Sequence, residues 1–141
     1  MKLAYVDSCI WITLIEGLDM YRAPIREALA ALARDGWELC TSDAVYLEVL
    51  IRPLRLKDDT LAGVYRALLT TSRGLAITPS IFADALVPAV CDGLKAMDAV
   101  HVAIAKHYGC ERFVTTDPHF RSLTTIAPAL IALPDAAART G

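Results

Sequence analysis

Four acidic residues stand where alternating strands and helices would make them neighbours. Asp7 ends the apolar run "KLAYV", Glu48 lies in "SDAVYLEVL", Asp98 in "LKAMDAVHVAIAKHYG" and Asp117 in "FVTTDPHF". A carboxylate at the end of a buried strand loses hydration, so Asp7 in particular needs a helix start, a cation or a metal. Four carboxylates in one crevice repel one another unless they are protonated or neutralised, and hard oxygen ligands around an open site suit Mg²⁺ or Mn²⁺. Such an ion keeps waters, one of which can attack a phosphodiester. Each acid also has an ordinary use. Asp7 can cap a following helix, Glu48 can be a solvated charge, Asp98 sits well near a helix start, and Asp117-Pro118 opens turns. Taken singly, that ordinary use is the better explanation for all but Asp7. Convergence of the four changes the balance.

The elements that must position these acids follow from apolar spacing. "KLAYV" reads as a first strand. "PIREALAALARDG" carries Ile25, Ala28, Leu29, Leu32 and Ala33 at helical spacing, with Pro24 in the first turn and Gly36 at the stop. "WELCTS" is a second strand, and Ser42 caps a helix that holds Val45, Glu48 and Val49 until Pro53 discourages continuation. "DDTLAGVYRALLTTSRG" predicts a helix stopped by a left-handed Gly74, followed by "LAIT" as a third strand. "SIFADALVPAVCDG" is a helix that Pro88 kinks or shortens, and "KAMDAVHVAIAKHYG" is a cleaner one ending at Gly109. "ERFVTT" gives a fourth strand, and "TTIAPALIAL" a weaker fifth, pushed to an edge by Pro128.

This alternation predicts an α/β fold of three layers, α/β/α, around a mainly parallel sheet of four to five strands. Right-handed crossovers bring the ends of successive strands to one side. Asp7 and Asp117 then follow the first and fourth strands directly, at the carboxyl edge where open α/β sheets bind ligands. Asp98 begins the helix that returns to the fourth strand. Glu48 lies about 8 Å along its helix from Asp43, but helical side chains lean towards the start and Glu is long.

Bulk properties bound the remaining possibilities. A chain of 141 residues without a long polar stretch fits one domain, residues 1–141, that buries its core without disulfides or a structural metal. Hydrophobic residues make up 55% and the mean hydropathy is +0.43, which is apolar for a small monomer and points to a surface covered by a partner or a second copy. The net charge of −2 neither recruits nor excludes nucleic acid. Cys9, Cys40, Cys91 and Cys110 form no C-x-x-C pair and read as reduced core thiols. The start lacks a signal-peptide pattern and no apolar stretch is long enough for a bilayer, so a cytoplasmic protein without membrane contact is expected. The scattered glycines form neither G-x-G-x-x-G nor a P-loop, and G-x-S-x-G is absent.

The order and spacing of "YVDSC", "SDAVYLEVL", "LKAMDAVHVAIAKHYG" and "FVTTDPHF" resemble the PIN-domain nucleases, particularly the VapC-type toxins of bacterial toxin–antitoxin pairs, over nearly the whole chain. The resemblance implies that Asp7, Glu48, Asp98 and Asp117 coordinate Mg²⁺ or Mn²⁺ and direct water onto RNA. It also implies a homodimer and a cognate antitoxin. Lys95 departs from the pattern, where relatives often carry Arg; either cation can hold a phosphate, with different geometry. Two alternatives stand beside an endoribonuclease. One is a PIN-like nucleic-acid or protein-binding module without turnover. The other is an aspartyl-phosphate phosphatase, which would want a second acid where Cys9 stands.

Several neighbours of the acids carry two readings. Ser8 can serve the metal shell or cap a helix, and Thr115 and Thr116 offer hydroxyls beside Asp117. His101, one helical turn after Asp98, can orient that carboxylate, although a packed, hydrogen-bonded histidine is favoured over a metal ligand. His107 and His119 read as surface residues. Arg52, Arg55, Lys57, Arg66 and Arg73, with Lys95 nearer the acids, are candidate nucleic-acid contacts or solvated charges in equal measure. Trp11 and Trp37 read as core or interface residues.

Overall fold

Five short apolar segments pair side by side, as parallel strands with no tight hairpin between them must. In the computed structural model, which describes residues 2–134, they are β1 (Lys2–Val6), β2 (Trp37–Ser42), β3 (Arg73–Leu75), β4 (Arg112–Thr115) and β5 (Pro128–Leu130). All pairings are parallel, and the strand order is β3-β2-β1-β4-β5. Helices α1 (Ser8–Glu16) and α2 (Asp19–Arg34) join β1 to β2, while α3 (Asp43–Arg55) and α4 (Asp59–Leu69) join β2 to β3. Then α5 (Pro79–Asp84), α6 (Leu86–Cys91) and α7 (Ala96–His107) lead from β3 back to β4. The chain steps outward from β1 to β3 and then returns past β1, so right-handed crossovers put α1 to α4 on one face and α5 to α7 on the other. Most contacts among helices follow this division, with α3 meeting α7 across it, giving the expected three layers.

The central strand is apolar on both faces because both are covered. Ala4, Tyr5 and Val6 of β1 are fully buried. Tyr5 stacks on Phe113 of β4 at 5.6 Å between centroids, and Phe113 meets Phe120 at 4.7 Å. On the opposite layer the phenol of Tyr65 in α4 donates to Glu16 of α1, which also pairs with Arg52 of α3, tying three helices together. No helix among the described residues is long and apolar enough to cross a membrane.

Three boundaries differ from the sequence reading. Pro24 lies inside α2, which starts at Asp19, and Pro53 lies inside α3, which runs on to Arg55. Burial of Ile25 and of Pro53 itself outweighs the single backbone hydrogen bond that each proline forgoes. The left-handed residue after α3 is Lys57, at φ +55°. Gly74 is not a helix stop: α4 has ended at Leu69, and Gly74 pairs with Thr41 inside β3, earlier than the predicted "LAIT". Gly36 and Gly109 do take the positive φ expected of helix stops, at +82° and +74°. The thiols are also more varied than a set of core residues. Cys40 and Cys110 are buried, Cys9 is half-buried and Cys91 is exposed, and all four are unpaired.

The direction of chain progress reverses between β1 and β4. Open α/β sheets have a crevice at such a switch point, beyond the carboxyl ends of the two strands.

Candidate active site

Asp7 is delivered to that crevice by strand pairing. Its backbone N–H donates to the Val114 carbonyl at 2.9 Å, extending the β1–β4 contact by one residue before the chain turns into α1. There Asp7 is the N-cap. Its Oδ1 accepts from the Ser8 N–H at 2.8 Å, and its Oδ2 accepts from the Thr115 hydroxyl at 2.9 Å and the Cys9 thiol at 3.4 Å. The side chain is nearly fully buried, and these donors supply the compensation that a buried carboxylate requires. Capping and site placement are therefore one arrangement.

Thr115 ends β4 and connects two of the acids, because its Oγ1 also accepts from the Asp117 N–H at 3.0 Å. Asp117 caps the following 3-10 turn, Pro118–Ser122; its Oδ1 accepts from the His119 N–H at 2.9 Å and lies 2.7 Å from the His119 ring Nδ1. Thr116 donates its hydroxyl to Cys9 Sγ at 3.3 Å.

Glu48 projects from the second turn of α3 and reaches across to two other elements. Its Oε1 accepts from the Ser8 hydroxyl at 3.0 Å and is hydrogen-bonded to His101 Nε2. Burial pushes the Glu48 carboxyl up, but the hydrogen bond and charge of His101, with the Ser8 hydrogen bond, outweigh it and hold the group below the usual carboxylate range. His101 is completely buried, and its Nδ1 lies 2.7 Å from the Tyr5 hydroxyl, which lies 2.7 Å from Ser42 Oγ. Two expectations change here. His101 orients towards Glu48 rather than Asp98, and the Ser42 hydroxyl makes no capping bond at α3 because it is committed to Tyr5.

One ligand atom from each of Asp7, Glu48 and His101 lies within 4.8 Å of the other two. Asp98 and Asp117 stand outside that tight group but within its field. Burial, then the charges of Asp7 and Asp117, raise the Asp98 carboxyl; His101 partly offsets this and Glu48 adds to it. Among the described residues, no lysine or arginine pairs with any of the four acids.

The PIN-domain family model matches residues 4–125. The chain belongs to the PIN-domain family. No curated protein sequence matches it. Among solved structures, this PIN domain is similar to a toxin–antitoxin complex from Klebsiella pneumoniae, with 23% identity, TM-score 0.70, and coverage of 88% of this chain and 95% of that one. It is also similar to DNA-bound VapBC from Salmonella typhimurium, with 15% identity, TM-score 0.73, and coverage of 94% and 100%. For VapC20 of Mycobacterium tuberculosis, a sarcin–ricin loop cleaving toxin, identity is 19%, TM-score 0.66, and coverage 89% and 99%. At these identities the likeness concerns the fold.

The donor set of this PIN domain fits a hard divalent cation: carboxylates crowded at a crevice, with no lysine or arginine among the described residues neutralising them. Several surrounding candidates are otherwise engaged. Arg52 pairs with Glu16, and Arg73 pairs with Glu38 at 3.6 Å. Arg55, Lys57, Arg66 and Lys95 are exposed. Trp11 is a core residue, whereas Trp37 lies under the cations of Lys2 and Arg112, at 4.7 and 5.4 Å. Tyr5 and Ser42 escaped sequence reasoning, since their partners are 37 and 96 residues away from Tyr5 and no local pattern marks them.

The electrostatics make a prediction for the metal-free protein. A carboxyl raised in the fold gives stability below its unfolded pKa and loses it as pH rises through the folded value. Asp98→Asn, which cannot ionise, therefore has the higher Tm at pH 7, and its advantage shrinks as pH falls and wild-type Asp98 protonates. Calorimetry in EDTA at several pH values checks this; a lower Tm for Asp98→Asn at neutral pH contradicts it.

Proposed function

We propose that the chain is a metal-dependent endoribonuclease that hydrolyses RNA phosphodiester bonds, with residues 1–141 as one nuclease domain, and that it is the toxin of a type II toxin–antitoxin pair. The observation that carries this reading is the convergence of Asp7, Glu48, Asp98 and Asp117 on the β1/β4 switch point without a lysine or arginine partner among the described residues. Asp7 and Asp98, with Glu48 and Asp117, are the residues that would hold Mg²⁺ or Mn²⁺. When bound, such an ion supplies water activation and charge stabilisation at the leaving oxygen.

The chain's own groups prepare for that chemistry. Thr115 and the Ser8 N–H fix the Asp7 carboxylate. Ser8 and His101 occupy Oε1 of Glu48, while Oε2 makes no hydrogen bond among the described residues. Lys95, the N-cap of α7 and three residues before Asp98, offers positive charge to a phosphate, as do Arg55, Lys57 and Arg66. An aspartyl-phosphate mechanism is disfavoured, because Cys9 stands where a second acid would be needed.

Two exposed apolar faces support protein partners. Leu47, Ile51 and Leu54 recur on one side of α3, with Leu56 just beyond, and Leu47 adjoins Glu48. A partner helix laid there would border the acid crevice, so this face suits an inhibitory antitoxin. Phe82, Leu86, Val87 and Val90 form the second face on α5 and α6, beside a cavity of about 330 Å³ lined by Val87, Pro88, Val102 and Ala103. That face suits a second copy. Toxin–antitoxin complexes among the similar structures fit this picture, as does the sarcin–ricin loop cleaving toxin. Four unpaired thiols fit a cytoplasmic setting.

RNA cleavage by the purified protein should require Mg²⁺ or Mn²⁺ and stop with EDTA. Asp7→Asn should lower it by more than about a hundredfold, beyond the 10–100-fold typical of supporting groups. Mn²⁺ at about a hundred times its Kd should add about 2.7 kcal/mol of stability to the wild type. Undiminished cleavage by Asp7→Asn would sink the assignment. For the partner surfaces, sedimentation should give a wild-type dimer and a Val87→Glu/Val90→Glu monomer, and Leu47→Glu/Ile51→Glu should lose antitoxin binding while still cutting RNA. A dimer unaffected by the charges on α6, or an antitoxin still bound by the α3 variant, contradicts the corresponding surface.

A further inference from the structure

We infer that His101 is a positioning residue for Glu48: anchored by the Ser42–Tyr5 hydroxyl pair, it donates from Nε2 to Oε1 and leaves Oε2 as the oxygen presented to a divalent cation. Its catalytic consequence rests on the nuclease reading above; its hydrogen-bond geometry does not.

The contacts form one chain from the end of β2 to the start of α1. Ser42 Oγ lies 2.7 Å from the Tyr5 hydroxyl, and that hydroxyl lies 2.7 Å from His101 Nδ1. Nε2 of the same ring meets Oε1 of Glu48, which also accepts from Ser8 Oγ at 3.0 Å. A ring nitrogen facing a carboxylate must carry the proton, because a bare lone pair there would meet only acceptor oxygens. In the neutral ring Nδ1 then accepts from the Tyr5 O–H and Ser42 donates to Tyr5; in the charged ring Nδ1 donates to Tyr5 and Tyr5 donates to Ser42, and Nε2 donates to Glu48 in both. Every group in the chain is satisfied in either state, as a buried network requires. His101 is 0% exposed, with its ring tilted against that of Tyr5 at 5.7 Å, so no bulk water can replace either partner.

The competing role is direct ligation, since one atom each of Asp7, Glu48 and His101 falls within 4.8 Å of the other two. Ligation would require a bare Nε2, a proton on Nδ1 donated to Tyr5, and loss of the strongest donor to Glu48. The two roles therefore differ at one atom: positioning demands a proton on Nε2 and ligation a bare one.

Imidazole ¹⁵N–¹H correlation spectra of the uniformly labelled, metal-free protein read this directly. The expected result is a proton on Nε2 of His101 that stays there when Mg²⁺ is added. A bare Nε2, before or after Mg²⁺ is added, overturns the assignment. Functionally, His101→Gln and, should that variant not fold, Tyr5→Phe are expected to weaken Mg²⁺ binding about tenfold in a thermal-shift titration, with lower kcat, little change in KM for RNA, and partial recovery in excess Mg²⁺. Unchanged Mg²⁺ affinity in a folded variant also overturns the positioning role. Failure of the nuclease reading is seen separately, as a wild type that neither binds Mn²⁺ nor cuts RNA.

Discussion

Like-charge repulsion among Asp7, Glu48, Asp98 and Asp117 is the constraint around which the molecule is arranged. A buried carboxylate without compensation costs several kcal/mol, and four near one another cost more than four apart. Compensation is uneven. Asp7 has a backbone N–H and a threonine hydroxyl, Glu48 a serine and a histidine, and Asp117 its own turn with His119. Asp98 has none of these among the described residues, and burial, then the charges of its neighbours, push its carboxyl up. The fold has thus given three of the acids its own donors and left the remaining electrostatic demand at Asp98, where a divalent cation would meet it.

Topology determines which residues share this demand. Because β1 pairs with β2 on one side and β4 on the other, the segments after β1 and β4 end beside each other at the switch point. The two helical layers then contribute one element each, α3 with Glu48 and α7 with Asp98 and His101. Helix α3 has a double duty. Its inward residues, Val45 and Val49, fill the core; Glu48 faces the crevice; and Leu47, Ile51 and Leu54 remain exposed. Helix α3 therefore carries its outer apolar face directly beside the acids.

Much of this was legible in the sequence, and the exceptions have physical causes. The strands β1, β2 and β4 follow from short apolar runs, and the placement of Asp7 and Asp117 follows from their position directly after two of them. Helix ends at Gly36 and Gly109 were readable because the left-handed turn there favours glycine. Pro24 and Pro53 misled because packing of a buried helix face overrides the local cost of proline. The Ser42–Tyr5–His101 chain was beyond reach: its members come from β2, β1 and α7, and contacts at such sequence separation leave no periodicity to read. The sequence expectation of a packed, hydrogen-bonded His101 agrees with its full burial, but nothing in the sequence chooses between Asp98, on its own helix face, and Glu48, on another helix.

Crystals grown in Mn²⁺, with an anomalous difference map recorded at the manganese edge, test the central claim most directly. The account predicts a peak in the crevice between the carboxyl ends of β1 and β4, in contact with carboxylate oxygens of Asp7 and of at least one other member of the quartet. Manganese bound only elsewhere on the surface, with the crevice acids holding ordered water alone at saturating ion, would contradict it.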